Sequence, residues 1–180
     1  MASYSTDNDV DASGIKIWEA ACATLAATSF FDPVTIGPYG EEFLDGATHA
    51  NNPIRELWSA AEDLWPEGNL EERIKCLVSI GTGQPSLDAF GDSGKDVAES
   101  LLAIATDTEH TAETFHREHQ DLARANKYFR FNVNRGLERI GLEEFSKSSV
   151  IVAATKRYLE SQEIYEKVLL CQESLRDKCL

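Results

Sequence analysis

The sequence predicts an α/β fold with helices flanking a small sheet, and three observations predict it. Segments with helical apolar spacing alternate with short apolar runs, the pattern of layered helix and strand. One run, Ile74 to Ile80, is nearly continuous and ends in Gly81-Thr82-Gly83, as expected of a strand buried on both faces. The chain has 180 residues and no internal repeat, enough for one sizeable core. Three strands are expected, a low count for a complete sheet that leaves edges to cover.

Each element follows from local chemistry. Residues 15–27 read as a helix, with Ile15, Trp18, Cys22 and Leu25 at helical spacing. Pro33 biases Asp32 away from helix, and a loop with Gly37, Pro38 and Gly40 leads to the short apolar piece Phe43-Leu44 before Asp45-Gly46. The clearest helix start is Asn52-Pro53, an N-cap followed by a proline suited to the first helical position. Ile54, Leu57, Trp58, Ala61, Leu64 and Trp65 then share a face until Pro66. After the Ile74–Ile80 strand and a loop to Gly94, a long helix is predicted from about Asp96 to Arg124. Its inner stripe is Leu101, Ile104, Ala105, Ala112, Phe115 and Leu122. Tyr128 to Val133 alternates as a half-exposed strand, with Phe129, Phe131 and Val133 on one side. Residues 149–175 form a final helical region offering Ile151, Ala154, Tyr158, Tyr165, Val168 and Leu169 for packing.

Composition narrows the function. Hydrophobic residues are 42% and charged residues 27%, an ordinary globular profile. Acidic residues outnumber basic ones 31 to 17, a net charge of −14, and such a field repels phosphate backbones. Nucleic acid is therefore not an expected partner. The four cysteines, Cys22, Cys76, Cys171 and Cys179, form no CxxC or zinc spacing. Cys22 and Cys76 lie in apolar segments and read as small hydrophobes, so a reduced, cytoplasmic setting is expected. Residues 1–14 lack the basic and apolar regions of a signal peptide and read as a disordered leader or a truncated edge. No stretch approaches the length of a membrane span.

Asp45-Gly46-Ala47 is the first candidate for chemistry. Alone, Asp-Gly is a turn signal; at the end of an apolar strand and just before a capped helix, it stands where sites on open α/β sheets form. An ordered series surrounds it. Ile17-Trp18-Glu19-Ala20-Ala21, Ala26-Ala27 and Phe30-Phe31-Asp32-Pro33 precede Leu44-Asp45-Gly46-Ala47. Asn51-Asn52-Pro53 and Leu77-Val78-Ser79-Ile80-Gly81-Thr82-Gly83 follow. Any one piece is weak, but the series resembles the C-terminal portion of the patatin-like phospholipases, lipid acyl hydrolases, from about Ile15 to Val133.

The resemblance implies part of a three-layer, FabD/lysophospholipase-like sandwich over residues 15–145, with a helical extension over 146–180. It implies hydrolysis of lipid acyl esters by a serine–aspartate dyad, with Asp45 as the base and no cofactor or metal. A serine hydroxyl is a poor nucleophile until a base takes its proton. A carboxylate within hydrogen-bond reach and partly desolvated can do so. Gly46 would let the backbone turn beside the site, and Asn51, Asn52 and Pro53 would fix the loop and cap the helix.

The chain also departs from the family. It contains no GxSxG; Gly91-Asp92-Ser93-Gly94 is followed by Lys95 and lies after the aspartate, against the family order. Cys22 stands where relatives usually carry arginine, and Thr28 where they carry proline. The expectation is a chain with the aspartate and without the nucleophile or oxyanion loop, inactive and marginally stable alone, and prone to self-association through an uncovered sheet edge. A lipid ester would be the substrate of the intact form.

Two other classes stand beside this one. The chain could be a non-catalytic scaffold that keeps the fold's helical shell as an interaction surface. A small metalloprotein on the long helix is the other: His110, His116 and His119 lie there with Glu109 and Glu113. Glu113 and His116 have the Glu-x-x-His spacing of di-iron bundles, but no second pair exists and a metal needs three or four converging ligands. Those residues read as a solvated face. His49 reads as a loop residue. Gly81-Thr82-Gly83 completes neither GxGxxG nor a P-loop. Lys127 to Phe131 mixes basic and aromatic residues as RNA-binding strands do, yet reads as core.

Overall fold

The computed structural model describes residues 15–27, 31–46, 50–83, 95–138, 140 and 145–176, the side chains of 95–106 and 145 excepted. The chain divides into two units, Met1–Asn51 and Asn52–Leu180. An α/β mixture is present, with helices accompanying two small sheets.

In the first unit, α1 spans Ile17–Ala23. The Lys16 amide donates to the Glu19 carboxylate at 2.7 Å, which satisfies a backbone donor at the start of the helix. The helix stops short of the predicted Ala27. Thr24 Oγ1 donates to the Ala21 carbonyl at 2.9 Å, competing with helix continuation, and the chain turns. The predicted apolar stripe is also corrected. Trp18, Cys22 and Leu25 are exposed and Ile15 is half-buried, and Ala23 and Ala26 are the buried residues. A seven-residue helix lying against β1 offers its small alanine edge, so Cys22 is not a core hydrophobe.

β1 (Val34–Ile36) and β2 (Glu41–Phe43) pair antiparallel, Val34 opposite Phe43 and Ile36 opposite Glu41. Gly37 and Gly40 take φ of 80° and 68° in the connecting turn, a region that side chains disfavour. The predicted loop is thus a hairpin, and Leu44 lies outside its strand.

The second unit begins with α2 (Ile54–Leu64) and the one-turn α3 (Leu70–Arg73). It continues through β3 (Leu77–Ile80), α4 (Lys95–Glu118), α5 (Gln120–Arg124) and β4 (Tyr128–Phe131). β3 and β4 pair in parallel, Leu77 opposite Tyr128 and Ile80 opposite Phe131, with α4 and α5 in the connection that parallel strands require. The single predicted helix to Arg124 is broken at His119, whose φ of −115° and ψ of 44° leave the helical region. After a short 3₁₀ turn at Phe145–Lys147, the final helical region is two helices, α6 (Ser148–Leu159) and α7 (Gln162–Arg176).

The core sits where α2 and α4 meet one face of the sheet: Ile54, Phe115, Leu122 and Tyr128 are buried, with Trp58, Ile74 and Leu77 against them. Phe115 and Tyr128 meet edge to face at 5.3 Å, a favoured aromatic geometry. Ala112, Phe115 and Leu122 are inward as predicted, while Leu101, Ile104 and Ala105 lie outside the described side chains. Two strand expectations are corrected. β3 is not covered on both faces, since Ile80 is 77% exposed. β4 is not half exposed, since Tyr128 and Phe129, which point to opposite faces, are both buried. In the final helices Ala154 is buried, but Ile151, Tyr165 and Leu169 are exposed. Among the described residues, no helix is long and apolar enough to cross a membrane.

Candidate active site

Asp45 lies two residues beyond β2, in the first unit. Its amide donates to the Ala26 carbonyl at 3.0 Å, and Ala26 is 1% exposed. The loop carrying the acid is thereby fixed to the turn that ends α1. On its other side, the Ala50 amide donates to the Gly46 carbonyl at 2.6 Å. The Asp45 residue is half-buried. The surface at Gly46 is open, since a Cβ there would meet nothing within 4 Å. Ala47 and His49 lie outside the described residues, as do Thr28, Ser93 and Cys179.

Asn51 ends the first unit as an exposed residue, and Asn52 opens the second, buried. Asn52 does not cap α2 as predicted. Its Nδ2 donates to the Thr108 carbonyl at 3.2 Å, fastening the start of α2 to α4, and Pro53 takes the cap position. A buried amide must find a partner, and that carbonyl satisfies it.

The second unit holds a polar cluster at the carboxyl ends of β3 and β4. Arg130 donates from Nη1 to Ser79 Oγ at 3.0 Å and from Nη2 to Glu109 Oε1 at 2.9 Å. Asn132 Nδ2 donates to the same Glu109 oxygen at 2.8 Å, and Asn132 Oδ1 accepts from the Gly83 amide at 2.7 Å. A Cβ at Gly81 would lie 2.4 Å from Asn132 Oδ1, so close approach requires a glycine there. Gly81-Thr82-Gly83 is held by side chains of this unit. Sequence reading placed Glu109 on a solvated face; it lies instead in this cluster. The signal was an arginine at the centre of an aromatic strand.

His119 is likewise off the solvated face. Its Nδ1 is 2.7 Å from Glu71 Oε1, and its ring packs 4.1 Å from Trp58 and 4.4 Å from Phe115. His110 and His116 are exposed. Among the described residues, no three histidines, cysteines or carboxylates gather as a metal would need. Tyr128 and Phe129 are core residues, and Lys127 Nζ donates to the Glu71 carbonyl at 3.0 Å.

Comparison with known proteins gives the context. The family model described as patatin-like phospholipase matches residues 2–58, a span that starts ahead of Ile15 and contains Asp45. The calcium-independent phospholipase A2-gamma of Rattus norvegicus is 32% identical over 121 residues, 65% of this chain. The patatin-like phospholipase 1 of Plasmodium falciparum is 32% identical over 177 residues, 84% of this chain. Phospholipase A I of Arabidopsis thaliana is 34% identical over 95 residues. The chain spans 14%, 25% and 7% of those relatives' lengths. No solved structure matches it. The match to the patatin-like phospholipase family thus falls on residues 2–58, with Asp45 among them.

Proposed function

We propose that this chain supplies the aspartate of a serine–aspartate dyad that hydrolyses acyl esters of phospholipids or other glycerolipids. The observation that supports it is Asp45 itself: an acid inside the family-matched segment, half-buried, on a loop pinned by the Ala26 carbonyl beside an open glycine. In this reading the Asp45 carboxylate takes the serine proton as the hydroxyl attacks the ester carbonyl. The Asp45 carboxyl passes that proton to the departing alkoxide as the acyl-serine forms. The regenerated carboxylate then takes a proton from water as it attacks the acyl group, and returns it to the serine oxygen as the fatty acid leaves. In this reading the serine comes from a GxSxG segment and the oxyanion donors from a separate glycine-rich loop, neither of which these 180 residues contain, so the chain alone is inactive. The architecture of this reading is the C-terminal part of a three-layer sandwich over residues 15–145, extended by the helices over 146–180. The setting is cytoplasmic, and the site uses no metal or cofactor.

A fluorophosphonate that labels activated serines tests this. Labelling of the protein expressed from the complete reading frame containing these residues is expected, with loss of at least about 100-fold in rate on Asp45→Asn. Equal labelling of the two proteins contradicts the dyad.

A second reading is favoured by Ile80. Among the described residues β3 pairs with β4 alone, and Ile80 stands 77% exposed on it; a strand edge of this kind invites another strand. In that reading the chain is a non-catalytic scaffold that self-associates or takes a partner strand through β3. Sedimentation of a monomer at high concentration, unchanged by Ile80→Lys, counts against it.

A further inference from the structure

Three independent placements bring Cys76 and Cys171 together in the second unit. Cys76 directly precedes β3, so strand alternation puts it on the face of Val78 and Ile80. Helix α7 lies on that same face over β4, leaving Ile80 exposed: Lys167 Nζ sits 5.5 Å from the Phe131 ring centroid and donates to the Arg130 carbonyl at 2.7 Å. Further along α7, Ser174 Oγ donates to the Asn126 carbonyl at 2.6 Å. Cys171 lies between these anchors, one helical turn from each, at the level where the Leu77 amide meets the Lys127 carbonyl at 2.7 Å. The Cys171 thiol is near enough to act on the Cys76 thiol. Both are free, Cys171 buried and Cys76 half-buried.

We propose that Cys76 and Cys171 are an oxidisable dithiol whose disulfide fastens α7 to the β3–β4 sheet. The oxidant is a small-molecule disulfide. The more accessible Cys76 loses its proton, attacks one sulfur of the oxidant and expels one thiolate. Cys171 then loses its proton, attacks the Cys76 sulfur and expels the second thiolate. Two protein thiols become one disulfide, one oxidant disulfide becomes two thiols, and the two protons end on the products. The closed loop spans about 95 residues, so the cross-link restricts the unfolded chain strongly. Burial, with the Cys171 thiol beside it, pushes Cys76 up to about 11. The thiolate is therefore scarce near neutrality, and oxidation is slow there and faster in alkali.

The test uses the full 180-residue chain, unaltered and as Cys22→Ser/Cys179→Ser, incubated with oxidised glutathione at about pH 8.5. The expected result is a monomer lighter by about 2 Da, a Cys76–Cys171 peptide in the non-reduced map, and a melting temperature raised by about 5 °C. Dithiothreitol reverses all three, and Cys171→Ala abolishes the rise. A folded monomer in which both cysteines still alkylate, or carry separate glutathiones, overturns the proposal. So does a rise that persists in Cys171→Ala. If the variants fail to fold, the map of the unaltered chain decides.

Discussion

The Asp45 amide and the Ala26 carbonyl are joined at 3.0 Å, so the acid's loop and the end of α1 form one structural piece. Ala26 is 1% exposed, with no room for a larger side chain. Ala26→Leu is therefore expected to cost about 1–3 kcal/mol by overpacking and to displace the loop that carries Asp45. Chemical denaturation and the amide exchange rate of Asp45 check this; unchanged stability and unchanged exchange refute it.

Gly46 behaves differently. Open space surrounds its Cβ position, and its φ is not among the positive values. Gly46→Ala is expected to leave stability within about 0.5 kcal/mol. Gly81→Ala is expected to destabilise clearly, because Asn132 and Arg130 must move to admit the methyl group. Paired denaturation curves distinguish the two positions.

The two ion pairs on α4 are predicted to be unequal. Arg130 and Glu109 are 14% and 32% exposed, and Arg55 and Glu118 are 48% and 50% exposed. Removing Glu109 strands a guanidinium whose Nε is buried without a partner among the described residues, so Glu109→Ala is expected to cost roughly 2–4 kcal/mol. Arg55→Ala removes a water-screened pair worth about 1 kcal/mol or less. Equal losses would contradict the assignment of the cluster as structural.

Stability under reducing conditions is expected to fall as pH rises above about 9. Burial pushes the Cys76 thiol up to about 11, and burial also raises the Tyr128 phenol. Over this range the unfolded chain releases protons that the folded chain keeps, so the unfolded state gains. Lys167 opposes this. Burial lowers its pKa, so the folded state sheds its proton first and gains as pH rises towards the unfolded value. Denaturation midpoints between pH 8 and 10.5 should decline less in Tyr128→Phe than in the unaltered chain; identical slopes refute this.

Much of this was legible before any coordinates. The long apolar stripe through Ala112, Phe115 and Leu122, the strand at Leu77–Ile80 and the strand at Tyr128–Phe131 were all visible as periodicity, which reports repeated burial. Partner choice was less visible. Asn52 looked like a cap because caps are local, and only the fold shows that the Thr108 carbonyl, 56 residues on, takes its amide. Glu109 and His119 looked solvated because helical spacing cannot reveal that Arg130 and Glu71 face them. The Gly37–Gly40 hairpin was hidden by strands of three residues, too short for alternation to register. Asp45 stands out as a candidate only through its ordered neighbours, since an isolated Asp-Gly pair signals only a turn.

The most direct measurement is phospholipid hydrolysis by the protein expressed from the complete reading frame, with and without Asp45→Asn. This exchange preserves shape and removes the base. A fall in kcat of about 100-fold or more, with folding and lipid binding retained, is the predicted result. A variant that turns over within about threefold of the unaltered protein would show that the proton goes elsewhere.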